Sequence, residues 1–279
     1  MIISLDGKDF FNNQERDDKM KASKLVKRLL IVAGFGGQDG KSTLARQLFK
    51  ANMPGGIHVA LEVANDAGGA DILLPPTPES AAAVEELIAG ENSVILDIGA
   101  AALKETQDLM VSGFGHIFQL ADSLIIPVCP PDSSGGGSSP THAVTTIEKL
   151  RLLNCVRPEQ IFVIPNMVPV KSTPEQVEKL FGHFVEAIRS TGATFVSNAG
   201  IWKSSTYDTI RSDFLGELII DIAKDPTNFR ALLFGDRLTL EQKSALMIRS
   251  RVVSSAQVQL TGNLKAAFAA FRVAANWSH

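Results

Sequence analysis

Short apolar runs separated by longer amphipathic stretches set the rhythm of this chain from residue 29 onward. The runs are "LLIVAGF", "IHVALEV", "SVILDIG", "SLIIPVC", "QIFVIPN" and "ATFVSN". Runs that are apolar at nearly every position suit strands buried on both faces, and such strands belong to parallel sheets. Between them, stretches with helical spacing fall at about 41–51, 79–90, 101–118, 141–154 and 174–191. Strand and helix therefore alternate, which predicts an α/β fold: a doubly wound, mostly parallel sheet with helices on its faces. Past residue 213 the strand-like runs stop, and "FLGELIIDIAK", "TLEQKSALMIRS" and "NLKAAFAAFRVAANW" all read as helices. The predicted organisation is a polar extension at 1–28, an α/β domain at 29–213 and a helical segment at 214–279 packed on it. The low-complexity stretch "PPDSSGGGSSP", Pro130 to Pro140, reads as a loop between a strand and the next helix.

The first strand runs into "GFGGQDGKST", Gly34 to Thr43, with glycines at 34, 36, 37 and 40. A strand, a glycine-rich turn and then Gly40-Lys41-Ser42 opening a helix is the context of a phosphate site. Glycines let the backbone curl so that successive N–H groups point inward, and the helix N-terminus adds unsatisfied donors and a positive dipole end. Gly36, Gly37, Gln38, Asp39 and Gly40 would form the cradle. Lys41 would reach the β- and γ-phosphates, Ser42 would ligate Mg²⁺ and Thr43 would help hold the α-phosphate. The usual spacing places a further glycine where this chain has Phe35. "SVILDIGAA", Ser93 to Ala101, is an apolar strand ending in Asp97 with Gly99 two residues on. Asp97 would hold a Mg²⁺-bound water, and the Gly99 N–H would contact the γ-phosphate. A carboxylate that ends a strand and caps the following helix is the other reading of Asp97. After the second strand, "EVANDAGGAD" supplies Glu62, Asn65 and Asp66 near the same sheet edge, where ligands of open parallel sheets bind; a solvated acidic turn is the other reading of this loop.

These residues resemble the deviant Walker A of the ParA/MinD family, whose pattern is lysine-glycine-glycine-x-glycine-lysine followed by two hydroxyl residues. "GKSTLARQLF" and "ALEVAND" are most similar to the plasmid-stability and conjugation ATPases of the StbB type. With "SLIIPVCPP" and "FVIPNMVP" the resemblance spans roughly residues 29 to 170. It implies a P-loop fold, ATP and Mg²⁺ as cofactors, and an ATPase that is weak or partner-stimulated. It also implies an ATP-dependent homodimer, a small DNA-binding partner protein, and a role in plasmid partition or conjugal transfer. Asn166 would contact the adenine. Glu62 takes the place of the family's first second-strand aspartate and Ala64 that of the water-activating one, with Asp66 two residues late; either Glu62 or Asp66 would position the attacking water. The family's signature lysine, which crosses the dimer to the partner's ATP, falls on Gly36. Losing a cation in trans is comparable in kind to losing an arginine finger, worth about 10³–10⁵ in rate, so slow turnover is expected. Lys104, Lys149 and Arg151 are the candidate substitutes.

Composition narrows the setting without deciding between functions. The 279 residues are 45% hydrophobic and 20% charged, with net charge −3 and pI about 6.0. No global positive field draws the chain to nucleic acid or anionic lipid, so any such contact is local. Lys19, Lys21, Lys24, Lys27 and Arg28 form one basic cluster, either a solvated arm or a docking arm for DNA or a partner. Leu264, Phe268, Phe271 and Ala275 form a helical stripe flanked by Lys265 and Arg272, either docked on the core or lying on a membrane surface. Cys129 and Cys155 have neither metal-ligand nor disulfide-scaffold spacing, which with the absence of long apolar segments points to a reduced, cytoplasmic setting. The five histidines show no ligand spacing and are assigned no role. Two further readings fit the same fold: a small-molecule phosphotransferase or ATP-dependent ligase, with a second pocket at "SSGGGSSPTH" near Thr141, or a nucleotide-binding adaptor that does not hydrolyse.

Overall fold

The computed structural model describes residues 27–37, 39–63, 69–110, 113–131, 139–214, 216–234 and 238–277. Among them are seven strands in one sheet: β1 (Leu29–Val32), β2 (Ile57–Leu61), β3 (Ile72–Leu74), β4 (Val94–Ile98), β5 (Ser123–Val128), β6 (Ile161–Pro165) and β7 (Thr194–Phe195). Their order across the sheet is β3-β2-β4-β1-β5-β6-β7, and every pair is parallel. β1, β4, β5 and β6 are buried at every position, as their unbroken apolar runs require. The expected α/β class, doubly wound and parallel, is what the chain adopts.

Alternate residues of β1, β4, β5 and β6 feed two cores. On one face Ile31, Leu96, Leu124 and Val163 pack under α2 (Pro78–Ala89), α3 (Ala100–Asp108), α4 (Phe114–Leu120), α5 (Ser139–Leu152), α6 (Pro174–Phe181) and α7 (His183–Ser190). On the other face Leu30, Val32, Ile95 and Phe162 pack against α1 and the C-terminal helices. α1 begins as an α-helical turn at Lys41–Thr43 and continues as a π-helix at Leu44–Lys50, where the Ala51 N–H returns to the Arg46 carbonyl. Six successive residues, Leu44 to Phe49, are buried, because this stretch is wedged between the sheet and later helices.

Those later helices are α8 (Thr206–Asp213), α9 (Ile219–Ile222), α10 (Phe229–Leu233), α11 (Leu240–Ser255) and α12 (Thr261–Ala274), with a second π-helical stretch at Ala256–Leu260 before α12. The Leu264–Phe271 stripe of α12 faces inward: both residues are buried, and Phe271 meets Phe49 edge to face at 5.1 Å and Phe162 at 5.5 Å. Gln47 of α1 accepts from the Ile219 N–H at 2.7 Å and donates to the Glu217 carbonyl at 3.3 Å, tying the segment to α1 at a second point. At the other terminus Arg28 pairs with Asp122 at 3.0 Å and stacks on Trp277, while the rest of the basic cluster apart from Lys27 lies outside the described residues.

Three details differ from the expectation. β3 is an additional edge strand. The helix expected at 101–118 is two helices, with Gly113 at φ 147 immediately before α4. The one at 174–191 is broken at Gly182, φ 55, a left-handed angle that ends α6 and starts α7. Among the described residues no helix is long and apolar enough to cross a membrane.

Candidate functional site

At the end of β1 the Ala33 N–H still donates to Ile125 of β5 at 3.0 Å, and the chain then turns through the glycines. Gly40 sits at φ 83, ψ 29 directly before Lys41, a conformation glycine adopts without steric cost. No side chain caps α1 there, so its first-turn N–H groups open onto the loop. A Cβ on Gly40 would lie under 3.0 Å from the Asn166 amide, and one on Gly36 under 3.0 Å from the Asp39 carboxylate. Gly37, by contrast, faces open space. The loop is held from both sides. Phe35 N–H donates to Thr146 Oγ1 of α5 at 3.2 Å, and Asn166, just past β6, donates from Nδ2 to the Asp39 carbonyl at 2.9 Å.

Lys41 is buried and donates Nζ to the Gly36 carbonyl. Burial pushes its ammonium below the usual lysine range, against the opposing pull of Asp39, Asp97, Glu62 and Cys129. Three carboxylates, with the neutral Cys129 thiol beside them, thus lie around one cation at the carboxyl ends of the central strands. Ser42 is exposed and Thr43 half-buried at the start of α1.

Asp97 lies on β4, in register with Val32 of β1 on one side and Ala60 of β2 on the other. It is 0% exposed, and neither carboxylate oxygen has a hydrogen-bond partner. A buried carboxylate without a partner is costly, by several kcal/mol or more, unless something else compensates the charge. Lys41 supplies part of that field. The nearest charged or chargeable side chain recorded for Asp97 is His58 of β2, whose Nε2 is 3.7 Å from Oδ2. Strand alternation carries a trace of this: His58, Ala60 and Glu62 share a face opposite Ile57, Val59 and Leu61. Ligand spacing along the chain does not reveal His58, because its neighbour lies across strands.

The structure brings Gly36, Gly37, Asp39, Gly40, Lys41, Asp97, Glu62, Gly99 and Asn166 to one end of the sheet. Glu62 follows β2 and its carboxylate packs on Gly99, where a Cβ would lie under 3.0 Å from it. The Gly99 N–H is donated to the Leu61 carbonyl at 3.0 Å, so what Gly99 contributes here is room for Glu62 rather than a free donor. Asn166 is buried and its amide is engaged by the loop backbone, the position of a brace. Gln38, Ala64, Asn65 and Asp66 lie outside the described residues, as does most of "SSGGGSSPTH". Of the three substitute cations, Lys104 and Arg151 are exposed, and Lys149 places Nζ 4.4 Å from the Phe35 ring centroid, against the loop.

A seven-stranded parallel sheet with a glycine loop between β1 and α1 and an acidic residue ending the adjacent β4 defines an α/β fold of P-loop type. No protein-family model matches the chain, and no curated protein does. Among solved structures the chain is similar to McdA of Cyanothece, in the structure of a single-residue variant of that protein in complex with ATP. The identity is 14%, the match covers 84% of this chain and 97% of that one, and the TM-score is 0.44. Apo McdA is similar at 13% identity, 81% and 99% coverage and the same TM-score of 0.44. With likeness this slight, the roles of the residues above rest on their own geometry.

Proposed function

We propose that the chain is an ATP-binding switch of the ParA/MinD type, slow in hydrolysis and acting through nucleotide-dependent association with a second copy or a partner. One observation carries the reading. Lys41 and Asp97, opposite in charge and both buried, come from the glycine loop and from β4 to the same end of the sheet, with the oxygens of Asp97 unpartnered. The residues present fit a magnesium nucleotide. The Gly36–Gly40 backbone and Lys41 would hold the phosphates, Ser42 and Asp97 the cation, and Glu62 or Asp66, the latter outside the described residues, would orient the attacking water. Mg²⁺ would neutralise phosphate charge. Gly36, at the signature-lysine position, is closed off by Asp39, and Lys149 lies against Phe35 of the loop from outside. That arrangement favours slow turnover unless a partner supplies charge. Plasmid maintenance or conjugal transfer, the StbB-type relationship and a cytoplasmic setting are the finer parts of the proposal, resting on the sequence resemblance. So is the division into an N-terminal extension, an α/β domain and a helical C-terminal segment.

Lys41→Ala tests it. The side chain's one recorded hydrogen bond is to the loop itself, so the fold should persist while calorimetric ATP affinity falls by two orders of magnitude or more, on the order of the loss of a charged contact to phosphate. Unchanged affinity would refute a phosphate loop. Measuring ADP release and solution mass with ATP and with ADP separates a switch from a ligase or a non-hydrolysing adaptor.

A further inference from the structure

His58 is 1% exposed, and neither ring nitrogen has a hydrogen-bond partner. Its backbone is well anchored: N–H donates to Asp71 Oδ2 at 2.8 Å, and its carbonyl accepts from the Asp71 N–H at 2.9 Å. The side chain points to the α1 face of the sheet, where Asp97 also lies, with 3.7 Å between Nε2 and Oδ2. Neutral imidazole has one N–H to give and a carboxylate only accepts, so the two groups are chemically matched. They stand about half an ångström beyond hydrogen-bond length. An apolar side chain would fill the His58 position without leaving two polar nitrogens buried and unsatisfied. A matched pair held just out of contact is what a site needs if the carboxylate must be steered when its own partner arrives.

We infer that His58 is a positioning residue for Asp97, fixing the carboxylate against β2 so that it meets the divalent cation of a bound nucleotide in one orientation. This rests on the nucleotide-binding reading above. His58 acts through Asp97 and touches neither phosphate nor cation. Residues that orient a metal-binding group typically contribute about 10–100-fold to metal affinity.

The test is calorimetric titration of adenylyl imidodiphosphate with and without Mg²⁺, on the full chain and three variants. His58→Leu removes the donor, His58→Asn shortens it away from the Nε2 position, and His58→Gln keeps an amide donor near that position. Expected is a roughly tenfold loss of the Mg²⁺-dependent gain in affinity for His58→Leu and His58→Asn, with Mg²⁺-free affinity unchanged and most of the gain restored in His58→Gln. His58→Asn carries the comparison if His58→Leu does not fold. An unchanged gain in both donor-removing variants, equal losses with and without Mg²⁺, or equal behaviour of His58→Asn and His58→Gln would overturn the inference. A wild-type chain that binds no nucleotide at all would overturn the nucleotide reading itself, a different and separately visible result.

Discussion

Replacing Gly40 by alanine brings two separable costs into one position. At φ 83 a residue with a Cβ sits in the left-handed region, at a cost of about 1–2 kcal/mol. The same Cβ would collide with the Asn166 amide, forcing Asn166 off the Asp39 carbonyl it now serves at 2.9 Å. Losing that buried hydrogen bond, with only the weak Cys129 thiol donor at 3.7 Å left on the carbonyl, adds about 1–3 kcal/mol. Gly40→Ala is therefore expected to lower apo stability by about 2–5 kcal/mol, and Asn166→Ala alone by about 1–3. In the double variant there is no amide to collide with, so only the backbone strain is added to the lost hydrogen bond. The two changes should then be non-additive, with a coupling of about 1–3 kcal/mol in the direction of rescue. Equilibrium urea unfolding of the wild type, both single variants and the double variant measures this. Additivity within about 0.5 kcal/mol would refute the idea that Asn166 braces the loop at Gly40. Nucleotide binding supplies an independent check: a brace lost in Asn166→Ala weakens ATP and GTP alike, whereas a lost adenine contact weakens ATP selectively.

Asp97→Asn should reduce Mg²⁺-dependent ATP affinity more than Mg²⁺-free affinity, because the carboxylate acts through the cation and not on the phosphates; equal losses with and without Mg²⁺ would contradict that role. Cys129 is pushed up to about 12, first by burial and then by Asp39. At pH 8 its thiolate is therefore about one part in ten thousand, and iodoacetamide should leave it unmodified in the native chain yet label it after unfolding. Rapid native labelling would show the loop end of β5 to be open.

The glycine loop, Lys41 and Asp97 were legible because their signals are local: a run of apolar residues, a turn composition and a helix start within about fifteen residues. β3 was not, since it has three residues, pairs only at the sheet edge and carries a half-buried to exposed pattern. The breaks at Gly113 and Gly182 were hidden because a glycine inside a helical pattern is compatible with continuation. The partnership of Asn166 with Asp39 joins residues 127 positions apart, and that of His58 with Asp97 joins neighbouring strands. The second follows from strand register and the first from two loops meeting at one end of the sheet, and neither exists until the sheet does. The π-helical register of "LARQLFK" likewise has no counterpart in an apolar pattern that an α-helix would satisfy as well.

That register governs how the two ends of α1 are phased. A residue added to an α-helix turns everything beyond it by about 100° about the axis, and a π-helical turn accommodates such an addition without breaking the rod. Lys41 and Ser42 at one end are aimed by the glycine loop, while Phe49 at the other is gripped by Phe271 and Gln47 by the backbone at Glu217 and Ile219. The widened turns between them let each end keep the heading its own neighbours impose. α1 is in that sense a crankshaft with its throws set independently: a return of Leu44–Lys50 to α-helical winding would swing the aromatic end against α12 while the lysine end stayed fixed.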